Sequence, residues 1–188
     1  MNQRKSYKMV YNPRLGCVRG EDTSLWDRDS EEVFYTEEQP LRVKIYKCHP
    51  DAKIPVRATP ESAAWDIHTI DNDIIFYPGN VKVLRTGLII QPPSGYHFKM
   101  YPRSGWGRKY EVGIPHGTAV IDRDFAGPED EWIVILHRPA TAEGKLYINK
   151  GDRIAQIILE KTYNIEFDTL DSPPISKSRG GFGSTGTK

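Results

Sequence analysis

Five short stretches of this chain carry side chains whose types and spacing could do chemistry, as anion donors, as carboxylates facing a water or a cation, or as a glycine-rich arm. Pro102-Arg103-Ser104-Gly105 sets a guanidinium fork, a hydroxyl and an unhindered backbone amide side by side, three kinds of donor that match phosphate oxygens and that also suit an ordinary exposed Ser-Gly turn. Thr118-Ala119-Val120-Ile121-Asp122-Arg123-Asp124-Phe125-Ala126-Gly127 puts two carboxylates and a ring after an apolar run. A carboxylate at the rim of a strand can hold and deprotonate a water, and the same letters also suit an ordinary β-turn. Gly151-Asp152-Arg153-Ile154-Ala155-Gln156 opens a strand with a turn and an Asp–Arg pair, then offers a glutamine at a polar position. In Thr59-Pro60-Glu61-Ser62-Ala63-Ala64-Trp65-Asp66-Ile67, small residues lead to Asp66, which could face a cation through water or cap a turn. The last ten residues, Arg179 to Lys188, combine glycines that let backbone N–H groups approach an anion, hydroxyls at Ser184 and Thr185, and the flat ring of Phe182. That composition suits an arm closing over a ligand, and it also suits a plain mobile terminus.

The elements that must position these residues are short strands. Runs rich in Val, Ile, Tyr and Phe recur from Leu41 onward, at 41–46, 74–77, 81–84, 87–90, 96–101, 132–136 and 154–159, several of them alternating apolar with polar. Turn signals separate them: Tyr77-Pro78-Gly79-Asn80, Pro92-Pro93-Ser94-Gly95, Ala126-Gly127-Pro128 and Lys150-Gly151-Asp152. This pattern predicts an all-β sandwich or barrel, with one short helix between Gly105 and Tyr110 after Pro102-Arg103-Ser104. Residues 1–40 mix charges and aromatics without a clear period and carry an acidic run from Asp27 to Glu38, as a solvated, partly ordered extension would. The expected division is an extension over 1–40, one β domain over 41–170 and a C-terminal arm over 171–188, which suits the size of a 188-residue chain.

Composition narrows the partners. Lys and Arg total 26 against 25 Asp and Glu, a formal charge of +1, so no long-range field favours nucleic acid or an anionic membrane and any phosphate binding must be local. Cys17 and Cys48 form no CxxC or paired framework, which fits a reducing compartment and argues against structural zinc. No stretch approaches the roughly 18–20 apolar residues of a membrane span. The expectation is a soluble protein of the cytoplasm or another intracellular compartment.

Taken in order, the five stretches resemble the motifs of the trimeric dUTP nucleotidohydrolase (dUTPase) family, over roughly Leu41 to Lys188. The matching residues are Ser62-Ala63-Ala64-Trp65-Asp66, Pro102-Arg103-Ser104-Gly105, Val120-Ile121-Asp122-Arg123-Asp124-Phe125-Ala126-Gly127, Gly151-Asp152-Arg153-Ile154-Ala155-Gln156 and Gly180-Gly181-Phe182-Gly183-Ser184-Thr185-Gly186. The resemblance implies a jelly-roll-like β-barrel, a homotrimer whose active sites lie between subunits, and Mg2+ as cofactor. It implies that Asp122 is the general base for water attack on the α-phosphorus of dUTP, giving dUMP for thymidylate synthesis and pyrophosphate. Asp66 would hold the magnesium ion through water. Arg103, Ser104, Gly105, Gln156, Ser184 and Thr185 would bind phosphates, with Lys177 and Arg179 sharing the γ-phosphate role. The hairpin with His116, Gly117 and Ala119 would read the uracil edge, Phe125 would pack under the deoxyribose, and Phe182 with Gly183 would cover the base.

The chain departs from the family pattern at several points. Ala64 and Trp65 replace Gly and Tyr, a change of bulk expected to shift Asp66. Phe125 replaces Tyr, which keeps the steric test against a 2′-hydroxyl. His116 stands where bacterial members often have Asn. The acidic stretch Gly127-Pro128-Glu129-Asp130-Glu131 reads as a solvated turn. The rival readings are a dCTP deaminase or dual-acting relative of the same fold, for which Glu131 lies before rather than on the required strand, and a non-catalytic nucleotide-binding regulatory module.

Overall fold

The computed structural model describes residues 40–176 and, ahead of them, the strands β1 (Ser6–Asn12), β2 (Gly16–Arg19) and β3 (Glu31–Thr36). These three pair antiparallel in the order β2-β1-β3, with Met9 opposite Arg19 on one side and Val33 on the other. The partly ordered extension read from the sequence thus contains a sheet that no sequence period announced.

Between residues 40 and 176 the chain forms ten strands and one short helix. They are β4 (Lys44–Lys47), β5 (Trp65–His68), β6 (Ile74–Phe76), β7 (Val81–Arg85), β8 (Leu88–Gln91), β9 (Tyr96–Tyr101), α1 (Ser104–Tyr110), β10 (Ala119–Ile121), β11 (Ile133–His137), β12 (Leu146–Ile148) and β13 (Arg153–Lys161). All of the ladders are antiparallel, and among the described residues they fall into one four-stranded sheet, β10-β9-β13-β5, and three strand pairs, β11-β7, β12-β6 and β4-β8, besides the N-terminal sheet. The expected mostly-β architecture with one helix near 105–110 is what the chain adopts.

Alternation decides which face of the large sheet is buried. In β9, Phe98 and Met100 are 4% and 2% exposed, whereas His97, Lys99 and Tyr101 point the other way. The inward row meets Ile67, Phe76, Leu84, Leu88, Ile90, Trp132, Val134, Leu136 and Ile157 in one core. Trp132 stands edge-on to Phe98, with ring centroids 5.4 Å apart. Each such large apolar side chain contributes about 1.5–3 kcal/mol by leaving water.

Strand β9 is the spine that positions the outer face. Gln156 pairs opposite Tyr101 on one side and Asp66 on the other, so Asp66, Gln156 and Tyr101 form a row across three strands. The chain then turns through Pro102 into α1. Arg103 keeps extended backbone angles as the N-cap residue, and its carbonyl accepts the amides of Trp106 and Gly107. The helix stops at Glu111, whose φ of 54° is left-handed, and Arg108 and Lys109 lie in the last turn where cations suit the helix dipole.

Candidate active site

The candidate site residues fall into two groups, at opposite ends of β9. At the C-terminal end Asp66, 7% exposed, lies between two guanidiniums: Arg103 Nε stands 2.8 Å from Oδ1, and Arg153 Nη1 donates to Oδ2 at 3.1 Å. One carboxylate between two arginines leaves a surplus positive charge, and Arg103, held through Nε, keeps further N–H donors for an anion. Gln156 donates from Nε2 to the Pro102 carbonyl at 3.1 Å, pinning the turn that leads into Ser104 and Gly105. Both of those residues are exposed, and a Cβ on Gly105 would meet nothing within 4 Å, so a ligand can approach its backbone.

Two residues of this half went unnoticed in the sequence. Lys53 and His68 adjoin the arginine pair, and burial first, then Lys53, push the His68 imidazole below its ordinary pKa against the pull of Asp66. His68 Nδ1 is buried without a hydrogen-bond partner. The Asp–Arg pair expected within Asp152-Arg153 is a misassignment. Arg153 lies opposite His68 with a register shift before Ala155, which carries its side chain across the sheet to Asp66, while Asp152 Oδ2 accepts the Asn149 amide at 2.8 Å and closes the preceding turn. Sequence distance hid the true pair, since its members are 87 residues apart.

The bulk of Trp65 is not directed at Asp66. Successive strand residues face opposite sides, so Trp65 turns away from Asp66, packs against the core and takes Arg57 over its ring at 4.3 Å. Among the described residues no three His, Cys, Asp or Glu side chains converge as a metal cage. Each Asp66 oxygen has one guanidinium partner and retains acceptor capacity, so the carboxylate fits the water shell of a phosphate-held cation rather than an inner coordination place.

The other half follows β10. Ile121 pairs with Phe98, and Asp122 comes next, exposed, in a turn closed by Phe125 N–H to the Asp122 carbonyl at 3.3 Å and Ala126 N–H to the Asp124 carbonyl at 2.9 Å. It borders a shallow cleft of about 340 Å3 with Gly95, His97, Arg123 and Thr162. Phe125 is 45% exposed. His116 is exposed with Nδ1 3.2 Å from the Thr118 carbonyl, Gly117 takes a φ of 79° in the turn, and Ala119 begins β10. The turn reading and the carboxylate reading of this stretch are compatible, because the turn leaves the Asp122 side chain in solvent.

Asp66, Arg103, Ser104, Gly105 and Gln156 therefore come together, and Asp122 does not join them within one chain. From the level of Asp122 to Tyr101 is four residue steps of β9, about 13 Å. Lys177, Arg179, Phe182, Gly183, Ser184 and Thr185 lie outside the described residues.

The acidic stretch after the second half is not a simple solvated turn. Asp130 accepts the Gly127 amide at 2.7 Å. Glu131, with a side chain 20% exposed, takes both Nε and Nη2 of Arg85 on Oε2 and the Gly87 amide on Oε1. Both of its oxygens serve the fold, because it faces the corner between β7 and β8.

Comparison with known proteins bears on these halves. A family model for dUTPase matches residues 50–186. The deoxyuridine 5'-triphosphate nucleotidohydrolase of Leptospira interrogans is 33% identical over 149 residues, which cover 78% of this chain and 99% of that protein. The proteins of the same name from Helicobacter pylori strain J99 and from fowlpox virus are 34% and 35% identical, each over 78% of this chain and over 97% and 98% of their own lengths. Among solved structures, the dUTPase of phage phi11 of S. aureus superposes with a TM-score of 0.61 at 18% identity, covering 72% of this chain and 99% of that one. The dUTPase of Staphylococcus bacteriophage 80alpha with dUPNHPP gives 0.61 at 22% identity, over 77% and 98%. The structures share the fold, and the family match with the curated relatives decides the rest: this chain belongs to the dUTPase family, whose members hydrolyse dUTP.

Proposed function

We propose that hydrolysis of dUTP here proceeds by attack of a water on the α-phosphorus, with Asp122 as general base. The water's proton passes to the Asp122 carboxylate, its oxygen bonds to the α-phosphorus, and the bond to the α,β-bridging oxygen breaks, so that pyrophosphate leaves with the electron pair and dUMP remains. Arg103, Ser104, Gly105 and Gln156 hold phosphate oxygens, the positioning and charge stabilisation that dominate phosphoryl transfer. The observation that carries this is the Asp66-anchored arginine pair beside an open Gly105 backbone, an anion site with its charge surplus already oriented. Asp66 would hold a magnesium ion carried by the triphosphate through water, and such an ion would supply charge neutralisation that eases approach of the attacking water. His116, Gly117 and Ala119 read the uracil edge, Phe125 lies under the deoxyribose, and Phe182 with Gly183 covers the base. Lys177, Arg179, Ser184 and Thr185 close on the terminal phosphates. The dUMP formed is available for methylation to thymidylate.

We further infer a homotrimer with shared sites. The two halves are too far apart to act together in one chain, which supports a neighbour's Asp122 meeting this chain's Arg103. The segment after β13 supports the same reading: Tyr163, Ile165, Phe167 and Leu170 are 64–89% exposed on a stretch with no ladder partner. An apolar groove of about 460 Å3 beside β4, lined by Leu41, Val43, Ile54, Trp65, Phe98 and Leu159 among others, offers such a stretch from another copy a place to bury.

The test is pyrophosphate release with magnesium from dUTP, dCTP, dTTP and UTP. The expected result is turnover of dUTP alone, reduced about 10²–10⁴-fold in Asp122→Asn and abolished by EDTA. Comparable turnover of dCTP would assign a relaxed base reader to the His116 hairpin, and no turnover of any nucleotide would favour a regulatory module. Residues 1–49 lie ahead of the family match, so deletion of residues 1–39 should leave dUTP turnover unchanged.

A further inference from the structure

Arg138, which follows β11, is 2% exposed, yet no carboxylate among the described residues stands within ion-pair distance of it. Its guanidinium donates instead to four backbone carbonyls: Nε to Tyr110 at 2.9 Å, Nη1 to Phe76 at 2.8 Å and Gly144 at 3.0 Å, and Nη2 to Glu143 at 2.7 Å. An apolar residue of similar volume would fill the same space without the cost of burying a charge. What the cation adds is reach. It gathers the end of β6, the loop before β12, and the last residue of α1, where helix carbonyls lack intrahelical partners and the dipole is negative.

The preceding residue grips the next part of the same segment. Gly113 N–H donates to the His137 carbonyl at 3.0 Å and His137 N–H to the Gly113 carbonyl at 2.8 Å. A Cβ on Gly113 would stand 2.7 Å from His137 Nε2, so the imidazole lies over the bare glycine in this bridge. His137 and Arg138 thus hold residues 110–113. Those residues join α1, which starts at the Arg103-Ser104-Gly105 turn, to the hairpin that carries His116, Gly117 and, beyond β10, Asp122.

We infer that Arg138 is a positioning residue for the hydrolysis, fixing the spacing between the phosphate-binding turn and the base-reading hairpin. The inference rests on the function proposed above. Because every copy in an assembly carries the same segment, an error in its spacing enters each site from both halves.

The test compares Arg138→Gln and Arg138→Lys with the unaltered full chain, by backbone amide exchange and by kcat and KM for dUTP well below the melting midpoint. We expect exchange over residues 104–117 to quicken at least tenfold and KM to rise about tenfold in both variants, since an ammonium cannot span the four carbonyls that the fork reaches. Faster exchange confined to 139–148 with unchanged KM would overturn the inference. Should both variants fail to fold, Arg138→Met keeps the volume and removes all four donations without leaving a buried charge, and an unchanged KM with a native circular dichroism spectrum would overturn it equally. If the unaltered chain releases no pyrophosphate from dUTP, the functional reading falls, and the exchange result still decides whether Arg138 holds this segment.

Discussion

Asp66 and Asp122 are both carboxylates of the same family motifs, yet their surroundings give them opposite tasks. Asp66 is enclosed and touches two guanidiniums, so its charge is spent on orienting Arg103 and Arg153. Replacing it by asparagine would leave two arginines repelling each other with no anchor. Asp66→Asn should therefore lower stability by about 1–3 kcal/mol and raise KM for dUTP at least tenfold, read by denaturant unfolding and steady-state kinetics. Asp122 is exposed and makes no side-chain hydrogen bond among the described residues. Asp122→Asn should leave stability within about 0.5 kcal/mol of the parent while kcat falls. Equal losses of stability in the two variants would contradict this division of labour.

At the scale of elements, the corner between β7 and β8 shows how a motif-free region supports the fold. Glu131 reaches back from the start of β11 to Arg85 and to the Gly87 amide. Burial works to raise the Glu131 pKa, but hydrogen bonds from Arg85 and Gly87 outweigh it and hold the carboxyl below its ordinary value of 4.5. The stabilisation from a lowered carboxyl pKa is fully present above the unfolded value and is lost as pH falls through the folded one. The melting midpoint should thus drop on acidification below about pH 4.5, with a shallower drop in Glu131→Gln; parallel pH profiles would remove Glu131 from the account. Gly87 itself has a φ of 68°, and an added Cβ would lie 2.8 Å from His49 Cβ and 2.9 Å from Ala52 Cβ. Gly87→Ala should cost about 2–4 kcal/mol in thermal or denaturant melts.

What could be read in advance follows the length and regularity of each element. Strand β9, with Phe98 and Met100 alternating against His97, Lys99 and Tyr101, and the apolar runs of β11 and β13 were legible, as was the helix after Pro102. The strands β5, β10 and β12 have three or four residues each, too few for a period to stand out, and the partners of β5 and β12 are distant in sequence. The same limit applies to the site. Arg103, Gln156 and Asp122 are visible as letters in motifs, but Arg153 is joined to Asp66 by register and a bulge, and Glu131 to Arg85 by a fold that brings positions 46 apart into contact. Local chemistry was written in the sequence, and its pairing was written in the topology.

For the molecule as a whole, the decisive question is whether one site needs two chains. The level of Asp122 lies about 13 Å along β9 from Tyr101, which leads into the Arg103 turn, while the proposed general base and phosphate donors must act on the same phosphoryl group within hydrogen-bond reach. A shared site predicts complementation. Asp122→Asn supplies intact phosphate halves and Arg103→Ala supplies intact carboxylate halves, so each variant alone is inactive. When the two are unfolded together and reassembled in equal amounts, a site drawing its halves from different chains receives both intact ones about a quarter of the time, by independent assortment of copies in a closed ring. Roughly a quarter of the parent turnover should therefore appear in the mixture, and it should vanish when Phe167→Glu is added to both partners to block burial of the exposed 163–170 stripe. Full dependence of activity on a single chain, with no gain on mixing, would mean that Asp122 reaches Arg103 by a rearrangement within the subunit, and the unpaired apolar segment after β13 would then need another role.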